Sequence, residues 1–165
     1  MSIKRQIFGF TLVELMVTLA LVGVVAAFAV PSFSTMIANN RLVSASNDIV
    51  GVLNYARSEA VKSGRQVIVS PTDGVDWTNG MSVWVDRNAN GSMQASEELR
   101  RTTGGTGAVS ITSSSPSFSF TGNGLLPTGS VAVTIQVCDG RGGEPGSSIT
   151  ITLGGRIRSE ALTCA

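Results

Sequence analysis

The sequence predicts an α+β protein in which a long N-terminal helix packs on a C-terminal antiparallel β-sheet or sandwich domain. The first 60 residues carry an apolar run followed by apolar positions at helical spacing. After Gly64 the pattern changes to short β-branched segments separated by Gly, Asn, Ser and Pro. The predicted parts are a leader (1–9), an apolar helix (10–31), an amphipathic helix (32–64) and a β-rich domain (65–165).

The apolar run extends from Phe10 to Val30, which as a helix covers about 30 Å, the thickness of a bilayer core. The basic residues Lys4 and Arg5 and the small residue Gly9 all precede it, whereas a secretory signal peptide has its cleavage site after the apolar stretch. Cleavage after Gly9 would therefore remove only the leader. Basic flanks stay on the cytoplasmic side, so the rest of the chain is predicted to be periplasmic or exterior.

Glu14 lies inside the apolar run. A carboxylate at bilayer depth costs at least about 2.5 kcal/mol unless it is paired, so Glu14 is a candidate functional residue. Cleavage after Gly9 would create an α-amine on Phe10, about one helical turn away, and in an assembly the pairing could join neighbouring subunits. An ordinary single-span anchor with a stray acid is the alternative.

The helix is predicted to continue past Pro31, which should kink it because proline lacks the backbone donor. An apolar stripe then marks an amphipathic half that ends near Ser63, where Gly64 can cap it. The stripe is expected to pack against the globular domain. Its members are Leu42, Ala45, Ile49, Val52, Leu53, Ala56 and Ala60.

The β-rich part contains seven candidate strands, and the segments 103–107 and 113–115 are loops by composition. An antiparallel sheet or small sandwich follows. The candidate strands are Gln66 to Ser70, Met81 to Asp86, Glu98 to Thr102, Val109 to Thr112, Ser117 to Thr121, Val131 to Val137 and Ser148 to Leu153.

Cys138 and Cys164 are the only two cysteines. In an oxidising compartment they could close a loop of about 25 residues, adding roughly 3 kcal/mol in the chain-entropy model. Free buried thiols or a metal pair are the alternatives. The chain has no histidine to complete a zinc site.

Five segments together resemble the GspH/FimT group of minor type IV pilins and type II secretion pseudopilins. They are GFTLVEL at 9–15, NYARSEAVKSG at 54–64, WTNGMSVWVDRNANG at 77–91 and the terminal CDGRG and GGRIRSE. The resemblance implies that a prepilin peptidase cuts after Gly9 and N-methylates Phe10, and that Glu14 sets subunit register during assembly. It further implies a single-pass inner-membrane protein that joins other major and minor pilins or pseudopilins in a pilus or pseudopilus.

Arg156 and Arg158 are two residues apart, so on a strand both project from one face while Ile157 points to the other. If the disulfide draws Arg141 toward them, three arginines would form a cluster able to grip phosphate oxygens. In the FimT branch, which acts in natural competence, a C-terminal GRxR segment binds DNA, and the segment 155–158 matches it. Alternatively, the two are solvated, salt-bridged arginines at a strand end, as in a type II secretion pseudopilin H with a purely structural tip role.

Residues 86–97 fit the calcium-loop pattern D-x-[DN]-x-[DN]-G-x5-E through Asp86, Asn88, Asn90, Gly91 and Glu97. The flanks, however, are predicted strands and not the helices of an EF-hand. An Asn-rich hairpin turn explains the same residues by left-handed backbone geometry and side-chain caps. Calcium is therefore the second interpretation, and no other cofactor is predicted.

The formal net charge is +1, which gives no broad attraction to nucleic acid or anionic lipid, so any such binding needs a local cluster. Without histidine, no Ser-His or Cys-His nucleophile pair can form. The sequence therefore predicts a protein without enzymatic activity.

Overall fold

The computed structural model describes residues 9–105, 107–141, 143 and 145–164, so the predicted leader lies outside the described residues except for Gly9. Within these described residues, one α-helix precedes eight strands and a short 3₁₀ turn. In chain order they are α1 (Leu12–Ser63), β1 (Val67–Pro71), the 3₁₀ turn (Trp77–Asn79), β2 (Met81–Trp84), β3 (Glu98–Arg101), β4 (Ser110–Ser113), β5 (Phe118–Phe120), β6 (Val133–Cys138), β7 (Pro145–Ile151) and β8 (Ile157–Thr163).

The chain divides into two compact units, one ending at Ala38 and the other comprising Asn39–Ala165. In the first unit, α1 runs through Pro31 without interruption. The large apolar side chains of this unit are exposed, as at Phe10, Leu19 and Phe28. By length and composition, α1 can cross a membrane: its most apolar stretch has a mean hydropathy of 2.4 and no buried residue.

In the second unit, the C-terminal part of α1 buries one stripe of side chains. The prediction for this stripe is confirmed except that Ser46 is buried, with its hydroxyl donating to the carbonyl of Leu42, while Ala45 is only partly buried. Gly64 follows the helix with φ of 65°, the left-handed conformation that glycine adopts without strain and that ends a helix.

The strands form two antiparallel four-stranded sheets, in the orders β3-β2-β1-β5 and β4-β6-β7-β8. Alternate residues of β1 and β6 are buried, as expected for strands with one face on a core. One hydrophobic cluster contains the helix stripe together with buried residues of both sheets, such as Leu53, Phe120 and Ile149. The predicted α+β fold is confirmed.

All seven predicted strands are present, with ends that differ by at most three residues. The eighth strand, β8, was not predicted as a separate element. Its side chains are almost all exposed or half-buried, so it has no alternating apolar pattern to reveal it. β8 is nonetheless paired with β7 over seven residue pairs, from Pro145↔Thr163 to Ile151↔Ile157.

Candidate functional site

The N-terminal candidate residues lie at the start of α1. Gly9 and Phe10 precede the helix, and Glu14 is in its first turn. The amide of Glu14 donates to the hydroxyl of Thr11 at 3.2 Å, which caps one of the open helix donors. A carboxylate at this position also faces the positive end of the helix dipole.

The capping role of Thr11 was not predicted from the sequence. Thr11 and Glu14 have the Thr-x-x-Glu spacing of a capping box before an apolar run, so this pattern could have located the helix start. The cap fixes where helical geometry begins, and thereby holds Glu14 about one turn from Phe10. The positions of Gly9, Phe10 and Glu14 suit the predicted cleavage and pairing, which stay predictions.

The disulfide pairs Cys138 with Cys164, as predicted, with a Cα–Cα distance of 6.0 Å. It packs directly on Gly146 at the start of β7. A Cβ at Gly146 would clash with the sulfur of Cys164 and would lie 3.2 Å from that of Cys138. The bridge joins β6 to the segment after β8 and crosses β7 at this residue. Only glycine fits at position 146, because the disulfide occupies the space that a side chain would fill.

Arg156 and Arg158 are exposed at the start of β8, whereas Ile157 between them is half-buried against the core. The predicted alternation of side chains is thus present. Arg158 lies 3.6 Å from Glu160, and both side chains are more than half exposed. An exposed pair of this kind contributes only about 0–1 kcal/mol, so it leaves the guanidinium accessible to an anion.

Arg141 lies elsewhere, and the expected cluster of three arginines is wrong. Its guanidinium forms an ion pair with Asp139 and donates to the amide oxygen of Asn39 at 2.7 Å. The hydrogen bond from Arg141 holds the pKa of the Asp139 carboxyl below its ordinary value.

The reason for this separation is the direction of β8. The disulfide holds the C-terminal end of β8 near Arg141, whereas Arg156 precedes the other end of the same strand. Seven strand residues at about 3.3 Å each place the two ends roughly 20 Å apart. The disulfide therefore places Arg141 near the C-terminal end of β8, opposite the end that carries Arg156 and Arg158.

Arg57 on α1 is the arginine that the structure places beside the 155–158 segment. Its Nε donates to the carbonyl oxygen of Gly124 at 3.0 Å. A Cβ at Gly155 would clash with that same carbonyl and would lie 3.0 Å from Nε of Arg57. Gly155 also has φ of 71°, so both space and backbone geometry require glycine there. Arg57 was missed because nothing in the sequence links α1 to this turn.

The loop between β2 and β3 carries the predicted Asp-Asn-Gly motif. Asp86 accepts from the amides of Asn90 and Gly91 at 3.1 and 2.8 Å, and the side chain of Asn90 accepts from the amide of Ser92. Ala89 and Gly91 have φ of 58° and 71°. The predicted left-handed geometry and side-chain caps are thus present, in a loop longer than a tight hairpin turn. Among the described residues, no three acidic or cysteine side chains gather as a metal-binding group.

A family model described as type II transport protein GspH matches residues 45–155, which is more than half of the chain. The chain belongs to the GspH family. A second model, the prokaryotic N-terminal methylation motif, matches residues 4–30 of this GspH-family protein. The recognition of a prepilin-type N-terminus on a GspH domain is thereby confirmed.

Two crystal structures of the type IV minor pilin FimU from Pseudomonas aeruginosa are similar to this GspH-family protein. One is 30% identical with a TM-score of 0.65, over 77% of this chain and 97% of the crystallised FimU chain. The second crystal form gives 30% identity and a TM-score of 0.62, over 75% of this chain and all of the crystallised FimU chain. Two curated fimbrial proteins of the same organism are 34% identical over 64 residues, which span only 41% of their length.

The candidate residues of the GspH-family chain fall differently within these matches. Gly9, Phe10 and Glu14 lie inside the matched methylation motif. The loop 86–97 lies inside the GspH match, whereas Arg156 and Arg158 come directly after its last residue. Family membership therefore supports the N-terminal assignments and leaves the arginines to be judged by their geometry.

Proposed function

We propose that this protein is a minor pilin that is cut after Gly9, methylated on Phe10 and built into a type IV pilus. The observation that carries the proposal is the first unit: a capped helix whose apolar side chains are exposed all round and whose first turn contains Glu14. Such a surface is not stable in water. In the precursor the inner membrane covers it, and in the filament other pilins cover it.

The pairing of Glu14 is the assembly step. Before cleavage the carboxylate has no cationic partner at its depth in the membrane, and cleavage by a prepilin peptidase supplies the α-amine of Phe10. Transfer into the filament is favoured when a carboxylate and an amine on neighbouring subunits neutralise each other in apolar surroundings. The basic leader stays cytoplasmic, and the second unit, which contains the disulfide, lies in the oxidising periplasm.

We test the proposal with Glu14→Ala, which removes the charge that the new amine would neutralise. We expect at least about tenfold less of this protein in sheared filaments, because the pairing offsets a cost of about 2.5 kcal/mol or more. Immunoblots of filament and membrane fractions measure the ratio. Thr18→Val is the matched control, since it removes a polar group from the same span without touching charge.

Glu14→Ala present in filaments at the level of Thr18→Val would contradict the assembly role. The type IV pilus is preferred because the similarity to the minor pilin FimU extends over nearly all of the crystallised FimU chain. The alternative is a type II secretion pseudopilin, to which the description of the matched family model refers. Recovery of the protein only in a secretion pseudopilus, and not in pili, would select the alternative.

A second candidate function is DNA binding in natural competence, and the exposed position of Arg156 and Arg158 favours it. Both lie at an end of β8, which among the described strands pairs only with β7 and is therefore open along its other edge. The basic surface consists of these two arginines, whereas Arg57 lies beside the preceding turn with its Nε bound to the carbonyl of Gly124. Forked guanidinium groups along an open edge suit contacts to successive phosphates. Arg141 has no place in this surface.

The double substitution Arg156→Ala with Arg158→Ala is expected to weaken binding of a labelled DNA duplex at least about tenfold at about 50 mM salt. The slope of log affinity against log salt should become shallower by about two, one for each lost phosphate contact. Anisotropy titrations of the full chain in a non-ionic detergent measure both quantities.

The control is Arg100→Ala with Arg101→Ala, which removes the same charge from exposed residues of β3. Equal loss of affinity in both double variants would mean that only net charge matters. Undetectable binding by the unchanged chain at low salt would remove the DNA function altogether. Neither result bears on assembly, which rests on Glu14.

A further inference from the structure

We propose that the loop from Asp86 to Glu97 binds a calcium ion. The loop joins β2 to β3, and its side-chain oxygens occupy the first, third, fifth and twelfth positions of the pattern that calcium loops share. Pattern and turn geometry alone do not distinguish a cation site from a capped turn. The distinguishing observation is the state of the last residue, Glu97.

Glu97 is only 2% exposed, although it carries a carboxylate. Its Oε1 accepts from the amides of Arg87 and Asn88 at 2.8 and 3.4 Å, so the carboxylate is turned into the loop. Its Oε2 is buried and has no hydrogen-bond partner. Burying a carboxylate oxygen without a partner is costly, and a cation inside the loop would remove that cost.

The residues at the start of the loop bind amides in the same segment as Glu97 does. Asp86 Oδ1 and Asn88 Oδ1 lie 3.1 and 3.2 Å from a single atom, the amide nitrogen of Asn90. Glu97 Oε1 accepts from the amides of Arg87 and Asn88, which follow Asp86 directly. Side-chain oxygens from both ends of the loop therefore contact the same short stretch of backbone, residues 87–90.

The donor chemistry selects calcium. The candidate ligands are all oxygens, two of them on carboxylates whose charge matches a divalent cation, and the chain has no histidine and no free cysteine for a softer metal. Calcium accepts six to eight oxygens in variable geometry, whereas magnesium requires a near-ideal octahedron and retains its water. A polar loop with amide and carboxylate oxygens at irregular positions suits the former.

Binding would tie the loop to the sheet. The amide of Val85, directly after β2, already donates to the carbonyl of Glu97 at 3.0 Å, so both ends of the loop are fixed. A cation held between Asp86 and Glu97 would order the residues between these ends. This inference is independent of assembly and of DNA binding, because it concerns neither α1 nor β8.

The test titrates calcium chloride into the full chain in non-ionic detergent after removal of metals with a chelator. Calorimetry is expected to give one ion per chain with Kd of about 10⁻⁴ to 10⁻³ M, the range of extracellular calcium modules. Tm should rise with calcium above Kd by mass action. In magnesium chloride at equal ionic strength, the loop should bind magnesium with at most a tenth of its affinity for calcium.

Glu97→Gln keeps the shape of the side chain and removes its charge, so it should weaken calcium binding at least tenfold. The control is Glu98→Gln, the same change one residue later, where the carboxylate pairs with Arg101 outside the loop. Should Glu97→Gln fail to fold, Asp86→Asn is judged by the same criterion. No calcium-dependent heat up to about 10 mM, ten times the weakest expected Kd, would overturn the proposal. Equal responses to magnesium, or from both glutamine variants, would also overturn it.

Discussion

Replacing Cys138 and Cys164 together by serine is expected to lower the free energy of unfolding by about 3 kcal/mol. The bridge closes a loop with a sequence separation of 26 that contains β7 and β8, so its removal frees half of the second sheet in the unfolded chain. Domains of this size have about 5–15 kcal/mol in total, so the variant should fold with a clearly reduced Tm. Urea unfolding followed by tryptophan fluorescence measures the difference.

Reductant provides the control for the disulfide variant. It should lower the stability of the unchanged chain by a similar amount and leave the double-serine variant unaffected, because the only two cysteines are then absent. A variant as stable as the oxidised chain would show that the hydrogen bonds and core of β6–β8 suffice. Replacing Gly146 by alanine in the oxidised chain should also lower the free energy of unfolding, since a Cβ there would clash with the sulfur of Cys164 and lie 3.2 Å from that of Cys138.

Replacing Gly9 by valine is expected to leave the precursor uncut, with no detectable chain that starts at Phe10. The folded protein itself makes no demand for glycine there, because a Cβ at Gly9 would meet nothing within 4 Å. In the proposed processing, the requirement would come from the peptidase, which must fit the residue beside the bond it cuts. Without cleavage the α-amine proposed to pair with Glu14 would not form, so filaments should also lack the variant.

Mass spectrometry of the intact protein, isolated from membranes that contain a prepilin peptidase, separates the two forms. Gly23→Val is the matched control, since it makes the same change inside the apolar span, where a Cβ likewise meets nothing within 4 Å. A methylated chain beginning at Phe10 in the Gly9 variant would contradict the cleavage assignment. Loss of processing in the Gly23 variant would trace the effect to insertion of the span.

The secondary structure was largely predictable because its signals are local. The helix stripe, the end at Ser63 and seven strands follow from apolar spacing and from glycine positions. β8 escaped prediction because an edge strand with exposed side chains has no such spacing, although seven residue pairs join it to β7. The start of β7 was likewise placed too late, because proline and glycine at 145 and 146 indicate a turn when read without the sheet.

The arginines show where sequence reasoning fails for a site. Arg156 and Arg158 were placed correctly on one face, since alternation along a strand is a local property. Arg141 was grouped with them because the disulfide was expected to draw their segments together, but the two ends of β8 lie roughly 20 Å apart. Arg57 lies beside the turn at Gly155 instead, through a contact of α1 that has no sequence signal.

By itself the sequence determined the apolar span, the acid within it, the small residue before it and the α+β class. These features depend on composition and periodicity over short stretches, so they can be predicted without knowledge of the fold. Only the tertiary structure decided that Arg141 lies at the opposite end of β8 from Arg156 and that Glu97 keeps a buried oxygen without a partner. Both facts arise from strand pairing and loop closure between distant residues, whose geometry is set by the whole packed domain.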